Sequence, residues 1–173
     1  MSRALTPFIA SLLIAAAPLA AHAQAKDTHG GTPTDAFFFK NAGMTGLGEV
    51  ELSKLAVQRA QSSKVKAYAQ KMVDEHSKVN DELATLKDGD KTYQRATQVA
   101  PETDKQIDAL SRMSGSDFDK AYLKIMVADH EEAVAQFSAE IEKGSNEEMK
   151  AFAKKTLPSL KAHLQMAKSL SGR

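Results

Sequence analysis

The stretch KAYAQKMVDEH, Lys66 to His76, returns in altered form as KAYLKIMVADH, Lys120 to His130. The copies agree at Lys66/Lys120, Ala67/Ala121, Tyr68/Tyr122, Met72/Met126, Val73/Val127 and His76/His130, and Glu75/Asp129 keeps a carboxylate before the histidine. Tyr, Met and His recur at every fourth position. At 3.6 residues per turn that spacing places them along one helical face. The repeat therefore predicts two amphipathic helices, each presenting an imidazole from an otherwise apolar stripe.

The pattern extends outward to two more helices. The second helix is expected over 64–87, with the stripe Val65, Tyr68/Ala69, Met72, His76, Val79, Leu83 and Leu86, and the DGD turn at 88–90 stops it. The third is expected over 116–143, capped by Ser114 or Ser116 and stopped by Gly144. A first helix is predicted over 35–62, with Asp35 as its cap and Met44, Leu47/Gly48, Glu51 and Leu55 as its inner stripe. Gly43, Gly46 and Gly48 within it imply either a late start or the close approach of another backbone. The fourth, over 146–170, contains Pro158, which is expected to kink it. Its opening, SNEEMKAFAKK, echoes SSKVKAYAQK at the start of the second. A helical hairpin thus reads as duplicated. The connection over 91–115 is long for adjacent antiparallel helices, carries a short helix over 101–113, and suits a crossover along the bundle. The fold class is all-α: a four-helix bundle with a long second connection and an extra short helix.

Composition bounds the function. Residues 1–23 have the form of a signal peptide: Arg3, an apolar run over 8–21, and an AHA cleavage pattern at 21–23. The alternative is a retained N-terminal anchor, for which the run is short. Residues 24–34 are polar, with two glycines and a proline, and are expected to form a disordered tether in which His29 is an exposed residue. The bundle domain is then 35–170. The chain has 23 basic and 22 acidic residues, and Arg3 is the only charge in the leader, so the remainder is formally neutral. No basic excess marks a nucleic-acid partner, and no later stretch is apolar enough to span a membrane. Zero cysteines exclude disulfides, thiolate metal sites and thiol catalysis.

The chemistry rests on three histidines, His76, His130 and His163, all on or beside the inner stripes. Counting from the turn near Ser63 brings Glu51 to the level of His76, and a crossover puts His130 in the same layer, with His163 within about one turn. Glu51, His76, His130 and His163 are the candidate metal ligands, for zinc, copper, iron or manganese. Glu49, Glu75 and Asp129 are candidates to support them from behind. The competing reading is a buried hydrogen-bonded cluster that holds no ion and only fixes the packing. The di-iron pattern of bundle proteins needs a Glu three residues before each histidine; Val73 and Val127 stand there. Tyr68 and Tyr122 are read as core residues with their hydroxyls near the edge, and the methionines as packing. No activated nucleophile and no phosphate-cradling glycine loop is present.

Four blocks in order, GMTGLGEVELSKLA (43–56), VKAYAQKMVDEH (65–76), FDKAYLKIMVADHEEAVAQF (118–137) and MKAFAKKTLPSLKAHLQMA (149–167), resemble the domain-of-unknown-function 4142 family. The resemblance covers about 35–170. It implies an exported bacterial protein, periplasmic or associated with the outer envelope, with a ferritin-like four-helix bundle, and no established activity. It carries over Glu49, Glu51, His76, Asp129, His130 and His163 as positions of interest. Two functions are expected: a metal-binding exported protein, or a structural, interaction or stress protein of the envelope, acting with a protein partner or as a homo-oligomer.

Overall fold

A computed structural model describes residues 35–88, 91–92 and 96–172. The expected leader and tether, 1–34, lie outside them. The helices are α1 (Asp35–Arg59), α2 (Ser63–Leu83), α3 (Pro101–Ser111), α4 (Gly115–Lys143) and α5 (Glu147–Leu170). Between α2 and α3, β1 (Lys87–Asp88) pairs antiparallel with β2 (Lys91–Thr92), a ladder of two residues a side. The molecule is an all-α bundle of four long helices with α3 on the long connection.

Two buried carboxylates reveal the chain's course. Asp119, near the start of α4, accepts the backbone N–H of Gln61 at 2.9 Å and of Ser62 at 2.8 Å, in the α1–α2 turn. Asp35, which opens α1, accepts the N–H of Ser145 at 2.9 Å and of Asn146 at 3.1 Å, in the α4–α5 turn. The start of α4 therefore lies beside the start of α2, and the start of α1 beside the end of α4. With α1–α2 and α4–α5 as tight hairpins, α2 and α4 run parallel, and the connection between them travels back along the bundle. On that return α3 packs against α1 and α4. Asp35 thus serves the neighbouring turn rather than capping its own helix. At α5 the cap is local: Asn146 Oδ1 accepts the Met149 N–H at 3.0 Å.

The glycines of α1 mark no late start, since the helix is continuous from Asp35. Their role is close approach. A Cβ at Gly48 would lie 2.9 Å from Thr103 Oγ1 on α3, and one at Gly46 would lie 2.2 Å from Asn80 Oδ1 on α2. The inner face of α1 also differs from the expected one. Met44, Leu47, Glu51 and Leu55 are only half-buried, whereas Ala42, Gly46, Glu49, Ser53 and Ala56 are buried. These follow a 4-3-4-3 spacing, so they lie on one face. Small side chains in this row let α1 sit close to its neighbours; Phe38, Phe39, Val50 and Leu52 are buried beside it, and Met44, Leu47 and Leu55 lie on the flank. Helix α5 runs as one span through Pro158. Pro158 and Lys154 are both exposed, so the carbonyl that loses its donor faces water.

The core has two parts. One gathers Leu52, Tyr68, Met72, Phe118, Tyr122 and Met126 toward the start of α2 and α4. The other gathers Phe38, Phe39, Leu83, Phe137, Phe152 and Leu160 toward the opposite end. Phe38 packs edge-on against Phe137, ring centroids 4.9 Å apart. Between these apolar halves lies a polar layer.

Candidate metal centre

Each of the four long helices contributes one buried side chain to that layer: Glu49 from α1, His76 from α2, His130 from α4 and His163 from α5. None is more than 2% exposed. The parallel course of α2 and α4 explains why the repeated histidines meet, because each stands about four turns into its helix. The three imidazole centroids form a near-equilateral triangle, 5.3 Å for His76–His130, 5.2 Å for His76–His163 and 5.4 Å for His130–His163. One nitrogen from each ring lies within 4.8 Å of the others.

The remaining nitrogens are held from behind. His76 Nδ1 lies 2.9 Å from Glu49 Oε2. His163 Nε2 donates to Glu75 Oε2 at 2.7 Å, and Glu75 is in turn bonded to Lys71. His130 Nδ1 lies 2.9 Å from the Met126 carbonyl and 3.1 Å from Glu49 Oε1. A carbonyl only accepts, so His130 Nδ1 carries the hydrogen and gives it to Met126. That leaves His130 Nε2 as a buried lone pair without a partner, and Glu49 Oε1 without a donor. With Nδ1 of His76 and Nε2 of His163 protonated, the inward atoms are His76 Nε2 and His163 Nδ1, 3.3 Å apart. All three rings thus have an outer N–H fixed by a carboxylate or a carbonyl and an inner nitrogen turned to the others. This is the arrangement that orients histidines toward a cation. Two nitrogens bound to one ion at about 2.0–2.1 Å in a tetrahedron lie roughly 3.3–3.4 Å apart.

The electrostatics are uneven. Burial pushes the Glu49 carboxyl up, but His76 and His130 outweigh it and hold it down to about 2. Burial works against the His76 imidazolium, yet the Glu49 carboxylate more than offsets it and the pKa rises above the ordinary value. Burial wins at His130, which titrates below its ordinary value. Burial also pulls His163 down to about 4, against the opposing pull of Glu75. One carboxylate therefore serves mainly one imidazole, and the other two are held neutral, the form that ligates metal.

The expected site residues fall into two groups. His76, His130 and His163 come together, with Glu49 and Glu75 behind them. Glu51 does not join them: it is 41% exposed and paired with Lys54 at 2.8 Å. It shares the level of Glu49 to within about 3 Å but points about 200° away around the helix. The carboxylate at the centre is Glu49. Asp129 is half-buried and makes no hydrogen bond to the three imidazoles; burial, with Glu49 and Glu132 nearby, pushes its carboxyl up to about 7. The tyrosine hydroxyls lie inside rather than at the edge. Tyr122 shares a 2.8 Å hydrogen bond with Ser53, and the buried Tyr68 hydroxyl has no partner. One polar neighbour escaped the sequence reading. Asn80, one turn beyond His76 on the same face, is 6% exposed; its i+4 spacing from the histidine was the available signal.

Comparison with known proteins places the chain. The family model described as "Domain of unknown function (DUF4142)" matches residues 17–170. The chain belongs to the DUF4142 family. No curated protein matches the sequence. Among solved structures, this DUF4142 chain is similar to a DUF305 fragment from Deinococcus radiodurans, at 16% identity and TM-score 0.69, covering 83% of this chain and 98% of that one. It is also similar to CopM in its Cu(II)-bound form, at 17% identity and TM-score 0.68, covering 80% and 96%. At these identities the likeness is one of fold.

Proposed function

We infer that this DUF4142 protein binds one transition-metal ion through His76 Nε2, His130 Nε2 and His163 Nδ1, with Glu49, Glu75 and the Met126 carbonyl orienting the rings. The observation that carries this reading is the trio of inward imidazole nitrogens, each ring anchored through its outer nitrogen. Imidazole donors suit zinc, copper, iron and nickel. Copper is the first ion to try, because the similarly folded CopM has a Cu(II)-bound form. The setting is extracytoplasmic: residues 1–23 serve as a leader and 35–170 as the working domain. No helix among the described residues is long and apolar enough to cross a membrane.

One observation favours a second reading. With one proton between His76 and His163, the chain Glu49–His76–His163–Glu75 is hydrogen-bonded throughout. In that reading the layer only fixes the packing and the protein is a structural or interaction component of the envelope. Elemental analysis after export in the native compartment separates the two, with His76→Ala and His130→Ala as controls. About one equivalent of metal, lost in both variants, supports binding. No metal, and no thermal shift with zinc, copper, iron or manganese, supports the packing role.

A further inference from the structure

The amide oxygen of Asn80 is buried and accepts no hydrogen bond. The chain makes room for it. Gly46 stands opposite on α1, and a Cβ there would lie 2.2 Å from Oδ1 and 3.1 Å from Cγ. Any other residue at 46 would force the amide to move, so the close pairing of a helical glycine with a donor-less amide needs a cause other than local folding. A helix-interior glycine costs stability, and so does a buried acceptor left without a donor.

Asn80, Gly46, Thr45, Glu49 and His76 line one partly enclosed hollow of about 20 Å³. One water needs roughly 10–15 Å³ and two or more polar partners. Two residues of this lining each carry a buried acceptor without a donor, Asn80 Oδ1 and Glu49 Oε1. A water has two O–H donors, which matches them in number and kind. Asn80 and Leu83 also line a second hollow, of about 10 Å³, bordered by Leu47, Ala84 and Ala96. Those three residues are part-exposed. Asn80 thus borders both hollows, one reaching the Glu49–His76 edge of the triad and the other reaching part-exposed residues.

We propose that the hollow between Asn80, Gly46 and Glu49 is a water-binding site and the route by which the triad exchanges with solvent. The water donates to Asn80 Oδ1 and Glu49 Oε1. Asn80 positions it and swings aside for passage; Gly46 leaves the space for both. The part of this concerning ions rests on the metal-binding reading above, and the part concerning water does not.

The test has two arms. In the metal-free protein, long-lived water gives a nuclear Overhauser contact to Gly46 Hα and to the Asn80 side-chain amide. In Asn80→Leu, the contact at Gly46 is lost. With Co(II) as probe, stopped-flow absorbance shows Asn80→Leu loading at least tenfold more slowly than the wild type, with stoichiometry unchanged. Absence of the water contact in the wild type overturns the proposal whatever Asn80→Leu does to folding. Equal loading rates in the two proteins overturn it as well. If the wild type takes up no Co(II), the metal reading of the triad falls, and the water contact at Gly46 alone decides this proposal.

Discussion

His76 Nε2 and His163 Nδ1 face each other at 3.3 Å, and the outer nitrogen of each ring meets a carboxylate, Glu49 at 2.9 Å and Glu75 at 2.7 Å. Two neutral rings anchored this way would bring two lone pairs together. Either a proton or a cation must lie between them. His130 adds a third lone pair, Nε2, with no hydrogen to share. A single proton can bridge two nitrogens but not three, whereas a metal ion can satisfy all of them.

The identity of the central carboxylate gives the first prediction. Glu49→Gln keeps the shape of the side chain but weakens its hold on His76. Supporting groups of this kind are worth about 10–100-fold in metal affinity, and that loss is expected here. Glu51→Gln, altering an exposed residue paired with Lys54, is expected to leave affinity unchanged. Competition against a chromophoric chelator measures both. A loss confined to Glu51→Gln would contradict the assignment.

The two carboxylates also show what the sequence could and could not reveal. The histidine layer was legible because Tyr68, Met72 and His76, and their counterparts in α4, repeat with strong helical spacing among apolar neighbours. The level of the carboxylate was legible too, since residues counted from a tight turn rise at about 1.5 Å each. Its direction was not. One buried row of α1, Ala42, Gly46, Glu49, Ser53 and Ala56, carries almost no hydrophobic signal, and Phe38, Phe39, Val50 and Leu52 are buried beside it. Met44, Leu47 and Leu55 carry more and lie on the flank. Periodicity finds rows of large apolar side chains, and a row of small residues carrying one carboxylate gives it nothing to follow. The tertiary roles of Asp35 and Asp119 were hidden for a related reason: their partners are backbone N–H groups more than fifty residues away.

Asp119 supports the second prediction. It is 8% exposed, and both carboxylate oxygens accept N–H groups from the α1–α2 turn. Asp119→Ala strands those donors. Hydrogen bonds to charged groups are worth about 1.5–3 kcal/mol each, so the two together bound the loss at about 3–6 kcal/mol; Gln61 is exposed and Ser62 part-exposed, so water replaces some of it and roughly 2–4 kcal/mol is expected, with Asp119→Asn recovering part of it. Urea denaturation reads this directly. A change below about 0.5 kcal/mol for the alanine variant would show that the clasp between α4 and the first hairpin is not needed.

Pro158 leads to the third. Proline inside a helix removes one backbone hydrogen bond and costs about 3 kcal/mol relative to alanine. Here water can solvate the freed carbonyl at the exposed face, which softens the cost. Pro158→Ala is expected to stabilise the protein by about 1–2 kcal/mol without altering metal uptake, since Pro158 is exposed. A lower melting temperature in the variant would mean that α5 depends on a distortion at this point.

The last prediction concerns pH. At the end of the bundle away from Asp119, Glu140 is 3% exposed and its carboxyl stands beside that of Asp35. Burial, then Asp35, push the Glu140 carboxyl up to about 7, with Lys150 opposing. Burial also works against the Asp35 carboxylate, but the Ser145 hydroxyl, at 2.5 Å, and the N–H groups of Ser145 and Asn146 outweigh it and lower its pKa. Of the two carboxyls, Glu140 is therefore the one that holds its proton to higher pH. Its raised folded pKa means that the folded protein binds more protons than the unfolded chain between about 4.5 and 7. The stability it contributes is full below that window and is lost as pH rises through about 7. Asp35 acts in the opposite sense, its contribution being lost only as pH falls below the ordinary aspartate range. Between pH 5 and 8 the wild type is expected to lose stability to this pair at a slope of at most about 1.4 kcal/mol per pH unit. Glu140→Gln keeps a donor toward Asp35 and cannot ionise, so its slope over the same range is expected to be flatter by that amount. Denaturation curves at pH 5.5 and 8 for the two proteins settle the matter, and identical slopes would rule out proton sharing between Glu140 and Asp35.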